Sequence, residues 1–474
     1  MSYCRCIASA RVAVWALAAL LLGCGATASR QAEGGPVQIE YWEKWTGHEG
    51  EAMREIVDDF NASQNEIHVN LITVSQIERK IMLAIMGGHP PDVAGLWTHW
   101  LHILCERNAL HPLDRLIAEA GLSLDDYLPV FKVLLSDRGF IFALPTSGTS
   151  VALYRNRQLF REAGLDPDHS PTSIAELDAI AERLTVVEQR RDGKIVRLPY
   201  TELTAAEKEA RNFRIVQMGF APAEPGWWTM LWSTWFGGAL WDGEEKITAD
   251  TPENRAALEW FRSYPLKYGL DNMRAFASGF GVFMSPQNPF YSGKIAMVLQ
   301  GVWMPNFIEK YAPDLDWAAA PFPAVDPAMN PITIVESDIV MIPRGARHPR
   351  EAFRFMTYLQ RPEVIERLCL AQRKMSPLRQ ASPHYLETHK NPFLPMFIEI
   401  ARGPGARIAP RVPVWYEYMA EINAAYDKVG SLTATPAEAL AQVQRRVEWK
   451  QRRAQVRWDA VGPARLREWS EWQP

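Results

Sequence analysis

Cysteine and runs of one charge are both scarce in this chain of 474 residues. Its five cysteines fall at no Cys-x-x-Cys or Cys/His zinc spacing, so the pattern encodes neither a redox pair nor a structural zinc. The formal net charge is only -4, and no basic stretch dominates the body. A nucleic-acid partner needs a concentrated basic face, so none is expected. The apolar run from Val12 to Leu22 falls short of the roughly 20 residues that cross a bilayer as a helix. There is no Gly-x-Ser-x-Gly elbow and no Gly-x-x-x-x-Gly-Lys phosphate loop, and His48-Glu49 does not continue to a second histidine of a zinc protease. No catalytic residue is therefore assigned. Internal repeats and sustained heptads are missing too. Paired carboxylates carry no sequence mark, so an exported carbohydrate-active enzyme stays as one alternative.

Tryptophan, by contrast, is abundant. A core rarely needs 18 indoles, which are bulky and carry an N–H that seeks an acceptor. The hydrophobic fraction of 47% suits a protein with a real core. The length suits about two or three domains.

The first 23 residues read as a signal peptide, with Arg5 and Arg11 before the apolar run. Leu21-Leu22-Gly23-Cys24 resembles a bacterial lipobox, which makes Cys24 the expected lipidation site. Residues 24–36 then form a lipidated, Gly-rich tether. The expected location is exported, anchored to the bacterial membrane by Cys24 and facing the periplasm or the cell exterior. Cys4 and Cys6 leave with the signal. Cys105 and Cys369 remain, either as a disulfide or as two buried thiols.

Strands and helices alternate along the mature chain. Val37–Trp42, Ile67–Val74 and Asp92–Trp97 read as strands. Met53, Ile56, Val57 and Phe60, and then Ile77, Ile81 and Ile85, recur at helical spacing. Such βα units imply an α/β fold with parallel pairing. Further on, Val151–Arg155 and Lys294–Gln300 read as strands. Ser173–Glu176 and Thr435–Glu438 read as capping boxes, and Thr251-Pro252 as a helix start. Residues 185–226 are charged and poorly periodic, and read as a surface insertion. The Arg- and Trp-rich tail from Lys450 reads as a last helix packed on the body.

Several segments, in order, resemble the family-1 extracellular solute-binding proteins of ABC importers, of which maltose-binding protein is the familiar member. They are Ile39-Glu40-Tyr41-Trp42 with Phe60-Asn61, Gly87-Gly88-His89-Pro90-Pro91-Asp92-Val93, and Leu144-Pro145 with Leu153-Tyr154-Arg155-Asn156. Pro171-Thr172-Ser173-Ile174-Ala175-Glu176-Leu177, Phe290-Tyr291-Ser292-Gly293-Lys294-Ile295-Ala296-Met297 and Gly301-Val302-Trp303 follow. The resemblance implies a two-lobed α/β periplasmic-binding-protein fold with hinge strands and an interlobe ligand cleft. Lobe one would hold 37–146 plus 336–377, and lobe two 149–333 plus 380–474. The implied function is capture of a sugar or related polyhydroxylated molecule for delivery to permease subunits of an ABC importer. It implies no cofactor, and the chain is expected to be a monomer.

Ligands in open α/β sheets sit beyond the carboxyl ends of strands. Three loops of lobe one meet that rule: Trp42 to His48, Trp97 to Trp100, and Thr146 to Ser150. They supply the candidates Trp42, Glu43, Trp45, His48, Trp97 and Thr146. By resemblance, Trp303 and Trp415 match stacking tryptophans of maltose-binding protein, and Trp227 opens its aromatic segment. Glu336 lies where the family often has Gly-Gly at the second hinge. Six of the ten histidines (His48, His68, His89, His99, His102 and His111) lie in the first segment of lobe one, and His99 and His102 are spaced for one helix face. A metal-binding importer component is thus the second alternative, although no metal ligand is assigned.

Overall fold

The computed structural model describes residues 35–474. The expected signal peptide, Cys24 and most of the tether lie outside the described residues. The strands in chain order are β1 Val37–Glu43, β2 Ile67–Thr73, β3 Val93–Trp97, β4 Ser136–Asp137, β5 Phe140–Ile141, β6 Ala143–Asn156 and β7 Val186–Arg191. They continue with β8 Lys194–Pro199, β9 Phe213–Phe220, β10 Ile295–Gly301, β11 Trp317–Ala320, β12 Thr333–Met341 and β13 Ala406–Arg407. Apart from the β4–β5 hairpin, they join one curled eleven-stranded sheet in the order β2-β1-β3-β12-β6-β10-β9-β7-β8, with β11 on β6 and β13 on β12.

Two strands change partners along their length, and this divides the sheet into two lobes. β6 has 14 residues, all buried. Its first part, Ala143 to Ser150, lies opposite β12, and Val151 to Arg155 lies opposite β10. The outer end of β12, Asp338 to Met341, also pairs with β3. The first lobe is thus built on β1–β3 with parallel pairing. The second is built on β7–β11, and β6 and β12 run through both. β12 carries a register shift between Asp338 and Ile339. Such bulges re-aim side chains beside binding sites.

Helices cover the faces because their apolar positions recur at helical spacing. In Gly47–Ser63, Met53, Ile56, Val57 and Phe60 are buried as expected, and Leu177, Ile180, Ala181 and Leu184 are buried in Ile174–Leu184. Thr435 forms a reciprocal capping box with Glu438. Ser173 caps only one way. Its hydroxyl accepts from the Glu176 N–H at 3.2 Å, while the Glu176 carboxylate accepts from Thr172 N–H at 2.7 Å.

Residues 185–226 are not a surface insertion. They contribute β7, β8 and β9 to the second lobe's sheet. The charges hide a two-residue alternation, in which Val187 and Gln189 of β7 and Phe213, Ile215 and Gln217 of β9 point inward. Asp192-Gly193, both at positive φ, is the hairpin turn between β7 and β8. Cys105 and Cys369 are separate, buried thiols.

Gly148 sits where β6 meets the chain returning at Met375, and the two exchange backbone hydrogen bonds of 2.6 and 3.0 Å. A Cβ at Gly148 would meet Phe131 Cζ at 2.5 Å and Met375 Cε at 3.0 Å. Gly148→Ala should therefore lower unfolding free energy by about 1–3 kcal/mol. Urea denaturation would register the change as a lower midpoint at an unchanged slope.

Candidate ligand-binding cleft

A cleft of about 600 Å³ opens where the two lobes face each other. Its floor is the β6–β12 crossing, with Thr149 on one strand and Glu336, Ser337 and Asp338 on the other. The first lobe contributes Trp45 and Trp97 to one wall, set edge-to-face at 6.0 Å between ring centroids. The second lobe contributes Trp227, Trp228 and Trp303, with centroids 6.4 and 6.3 Å from the Trp303 ring. Phe283 joins them, 4.7 Å from Trp227 and 4.6 Å from Phe307.

Local sequence explains these placements. Trp45 follows the end of β1, and Trp97 closes β3, so both lie at carboxyl ends of strands. Trp303 follows β10, and its ring folds back over Gly301. A Cβ there would come within 2.2 Å of the indole, so only glycine leaves room. In the indole-rich run 227–235, Trp232 and Trp235 are core residues. Their N–H groups donate to the carbonyls of Pro222 and Ile332 at 3.1 and 3.3 Å. Trp227 and Trp228 are left to face the cleft.

Beneath the first wall runs a buried chain of charges. Lys374 Nζ lies 3.0 Å from both Glu49 Oε1 and Asp338 Oδ2. Asp338 also accepts from the Ser147 hydroxyl at 2.6 Å and faces Lys44 Nζ at 3.5 Å. Lys44 in turn pairs with Glu43 at 3.1 Å, and Glu43 accepts from the Tyr41 hydroxyl. Lys374 Nζ is 3.5 Å and Lys44 Nζ 4.3 Å from the Trp45 ring centroid, cation–π distances that hold the indole in place. Gly95 makes the space for Glu43, since a Cβ there would meet its carboxylate at 2.2 Å.

Burial pushes the Asp338 carboxyl up, but Lys374, Lys44 and Ser147 outweigh it and hold its pKa below the usual range. Burial likewise disfavours charge on Lys374, but Asp338 and Glu49 prevail and hold its pKa above the usual value. Asp338 thus contributes stability above the ordinary aspartate pKa of about 3.9, lost as pH falls through its lower folded value. Lys374 contributes below the ordinary lysine value of about 10.4, lost as pH rises through its higher folded value.

Of the expected site residues, Trp45, Trp97, Trp227, Trp303, Glu336 and Trp415 line the cleft. Glu336 also holds His99 Nδ1 at 3.0 Å. Trp415 lines it from within the second lobe's core, at 1% exposure. The other four do not line it. Strand parity turns Trp42 to the opposite face of β1 from Tyr41 and Glu43, and its N–H donates to Glu40 at 3.3 Å. Glu43 is buried below the wall. Thr146 is buried too, its carbonyl accepting from the Cys369 thiol at 3.6 Å. His48 packs edge-on against Phe307 at 5.9 Å on the rim, and burial lowers its pKa.

Sequence reasoning missed Glu49, Asp338 and Lys374. Asp338 stands out as an acid beside the apolar run Ile339–Ile342, but Glu49 and Lys374 lie among polar neighbours, and the pairing is visible only in three dimensions. His99 and His102 do not share a ligand, because His102 Nδ1 lies 2.8 Å from Asp137 Oδ1. A second hollow, of about 530 Å³, lies on the first lobe's outer face. Its Arg350 and Arg354 are already paired with Glu119 and Glu66.

Removing Lys374 strips Glu49 of its cation and leaves Asp338 with only Lys44 at 3.5 Å. Lys374→Met should cost about 3–5 kcal/mol in urea unfolding at pH 7, and the pair Lys374→Met with Asp338→Asn should recover part of it. Trp415→Ala should cost about 3–5 kcal/mol in the same measurement without ligand, because that indole is core as well as wall.

The chain is 24% identical to the solved structure of CpMnBP1 with mannobiose bound, with a TM-score of 0.74 over 86% of this chain and 99% of that one. It is 20% identical to the maltotriose-binding protein of Pyrococcus abyssi over 72% of this chain and 67% of that protein. It is 23% identical to the sn-glycerol-3-phosphate-binding periplasmic protein UgpB of Yersinia pestis bv. Antiqua over 31% of this chain. The match spans about a third of that relative's length, 35%. Residues 44–366, which run from the first cleft loop to beyond the second hinge strand, match the family described as bacterial extracellular solute-binding protein. A two-lobed sheet crossed by β6 and β12, with an aromatic cleft at the crossing, is how this chain belongs to the bacterial extracellular solute-binding proteins.

Proposed function

We propose that this protein captures a neutral sugar or related polyhydroxylated molecule in the cleft and delivers it to the permease subunits of an ABC importer. The observation that carries this reading is the pairing of indole faces from both lobes with polar groups at the hinge floor. A pyranose has apolar C–H faces and a rim of hydroxyls. Indoles cover the former, and Glu336, Thr149 and backbone groups are suited to the latter. Enclosing hydroxyls without such partners would cost several kcal/mol each, so both classes of group are needed. The mannobiose- and maltotriose-binding relatives support a saccharide.

A phosphorylated glycerol is the second reading, favoured by the UgpB relative. The cleft argues against it. Among the described residues, Glu49, Glu336 and Asp338 line it beside a single lysine, and no arginine does. A phosphate would meet excess negative charge there instead of the forked donors that recognise it.

In this reading the protein works by binding and closure, not by catalysis. Lobe one comprises 37–146 plus 336–377 and lobe two 149–333 plus 380–474, a division supported by the change of partners at Ser150 and Val151. The protein is exported, as the family's extracellular members are, and Cys24 holds it to the membrane as a lipid-anchored monomer.

A thermal-shift screen over mono-, di- and trisaccharides, glycerol 3-phosphate and a glycerophosphodiester tests the reading. At least one neutral saccharide should raise the melting temperature and change tryptophan fluorescence, whereas a response confined to phosphate esters would reject it. Trp303→Ala and Trp227→Ala should each weaken the saccharide by about 1–3 kcal/mol, with the fold's stability nearly unchanged for Trp227→Ala.

A further inference from the structure

The helix Pro436–Glu471 has 36 residues, an axis of about 54 Å at 1.5 Å per residue. Its first half belongs to the second lobe. Leu440, Val443, Val447 and Ala454 are buried in one core with Tyr418 and Tyr426. The Gln444 amide donates to the Ile247 carbonyl at 2.6 Å, and Arg446 and Lys450 pair with Glu421.

Its last turns dock on the first lobe. Trp469, 3% exposed, packs edge-on against Phe140 and Phe142, with centroids at 5.6 and 4.9 Å. Its indole N–H donates to Asn108 Oδ1 at 2.8 Å. The Arg138 guanidinium lies 3.6 Å over Trp458. Arg465 donates to the Glu106 carbonyl, and Glu468 pairs with Arg344. Beyond the helix, Trp472 stacks on His111 at 4.4 Å. The crossing from one lobe to the other falls between Ala454 and Trp458.

The grip falls on a particular piece of the first lobe. Glu106 and Asn108 end the segment that begins at Trp97 and His99 in the cleft wall and continues through the helix Leu101–Glu106. The lobes are also joined by β6, β12 and the return of the chain at Met375, and by side-chain contacts such as Arg373 to the Pro305 carbonyl, His48 to Phe307 and Trp100 to Tyr416. A single continuous helix seated in both lobes opposes hinge motion, with Gly462-Pro463 as its weak point inside the first-lobe part. To part the lobes, Trp469 must leave its socket or the helix must bend.

We infer that the C-terminal helix is a strap, locked by Trp469, that limits how far the lobes part when no ligand is bound. It acts on the capture site and so rests on the two-lobed binding reading. Without the strap, the ligand-free hinge samples wider angles. A ligand that needs the closed form then binds more weakly, in proportion to the closed population lost.

Two variants of the mature protein test this: Trp469→Ala, and truncation after Gly462. Unfolding is followed by circular dichroism, ligand-free shape by small-angle scattering, and affinity by tryptophan fluorescence with the best saccharide from the screen. The strap predicts cooperative unfolding, a larger ligand-free radius of gyration than wild type, greater compaction on binding, and affinity lower on the order of tenfold. Ligand-free scattering that superposes on wild type in a folded variant overturns the inference, and so does tighter binding. Loss of cooperative unfolding in both variants also overturns it, since the tail would then be a fold element. An expanded ligand-free form with no saccharide bound by wild type would keep the strap and reject the sugar reading.

Discussion

A lysine buried between two carboxylates, at the crossing of the two lobes, fixes the geometry on which the cleft depends. Lys374 reaches Glu49 on a first-lobe helix and Asp338 on the hinge strand, each at 3.0 Å, and lies against the Trp45 face. An isolated buried ammonium would be costly, so the lysine stays charged only while all its partners stay in place. The same condition orients the first-lobe indole wall. The neighbouring Gln372 extends this tie to the second lobe, because Asn306 donates to its carbonyl at 2.7 Å while its own amide donates to the Glu49 carbonyl at 3.1 Å. The charge chain, the hinge strand and the two lobes are therefore mechanically one unit at this point.

On that base the two walls differ in kind. Trp45 and Trp97 in the first lobe sit over cations, and their orientation is set by charges beneath them. Trp227, Trp228 and Trp303 in the second lobe are set by packing against each other and Phe283, with Trp303 folded onto Gly301. Trp227 remains 41% exposed. A ligand thus meets one pre-set wall and one more open wall, which suits capture on one lobe followed by closure of the other.

Much of the fold was legible in the sequence. Parallel strands, the helix faces through Phe60 and Leu184, and the Thr435 cap follow directly from spacing and capping chemistry. The edge strands β7–β9 were not, because charged residues on their outer faces masked a period of two, although Asp192-Gly193 marked the hairpin. Within the cleft, indoles placed after strand ends were legible, as Trp45, Trp97 and Trp303 are. Parity along β1 would have excluded Trp42, since Tyr41 and Glu43 share the buried face. Lys374 and Asp338 could not be paired from sequence, because their contact depends on β12 and the chain at Met375 meeting across β6. The register shift at Asp338 that aids this has no sequence mark.

Lobe closure over a bound solute is the central claim, and a distance across the cleft tests it most directly. Spin labels can be placed at the exposed positions Glu51, on the helix Gly47–Ser63, and Lys310, on the helix Met304–Tyr311, each three residues beyond a partner of the His48–Phe307 contact. Pulsed electron resonance should give a broad, longer distance distribution without ligand and a narrow, shorter one at saturation, matching the spacing in this structure. A distribution that does not change at saturating ligand would contradict closure.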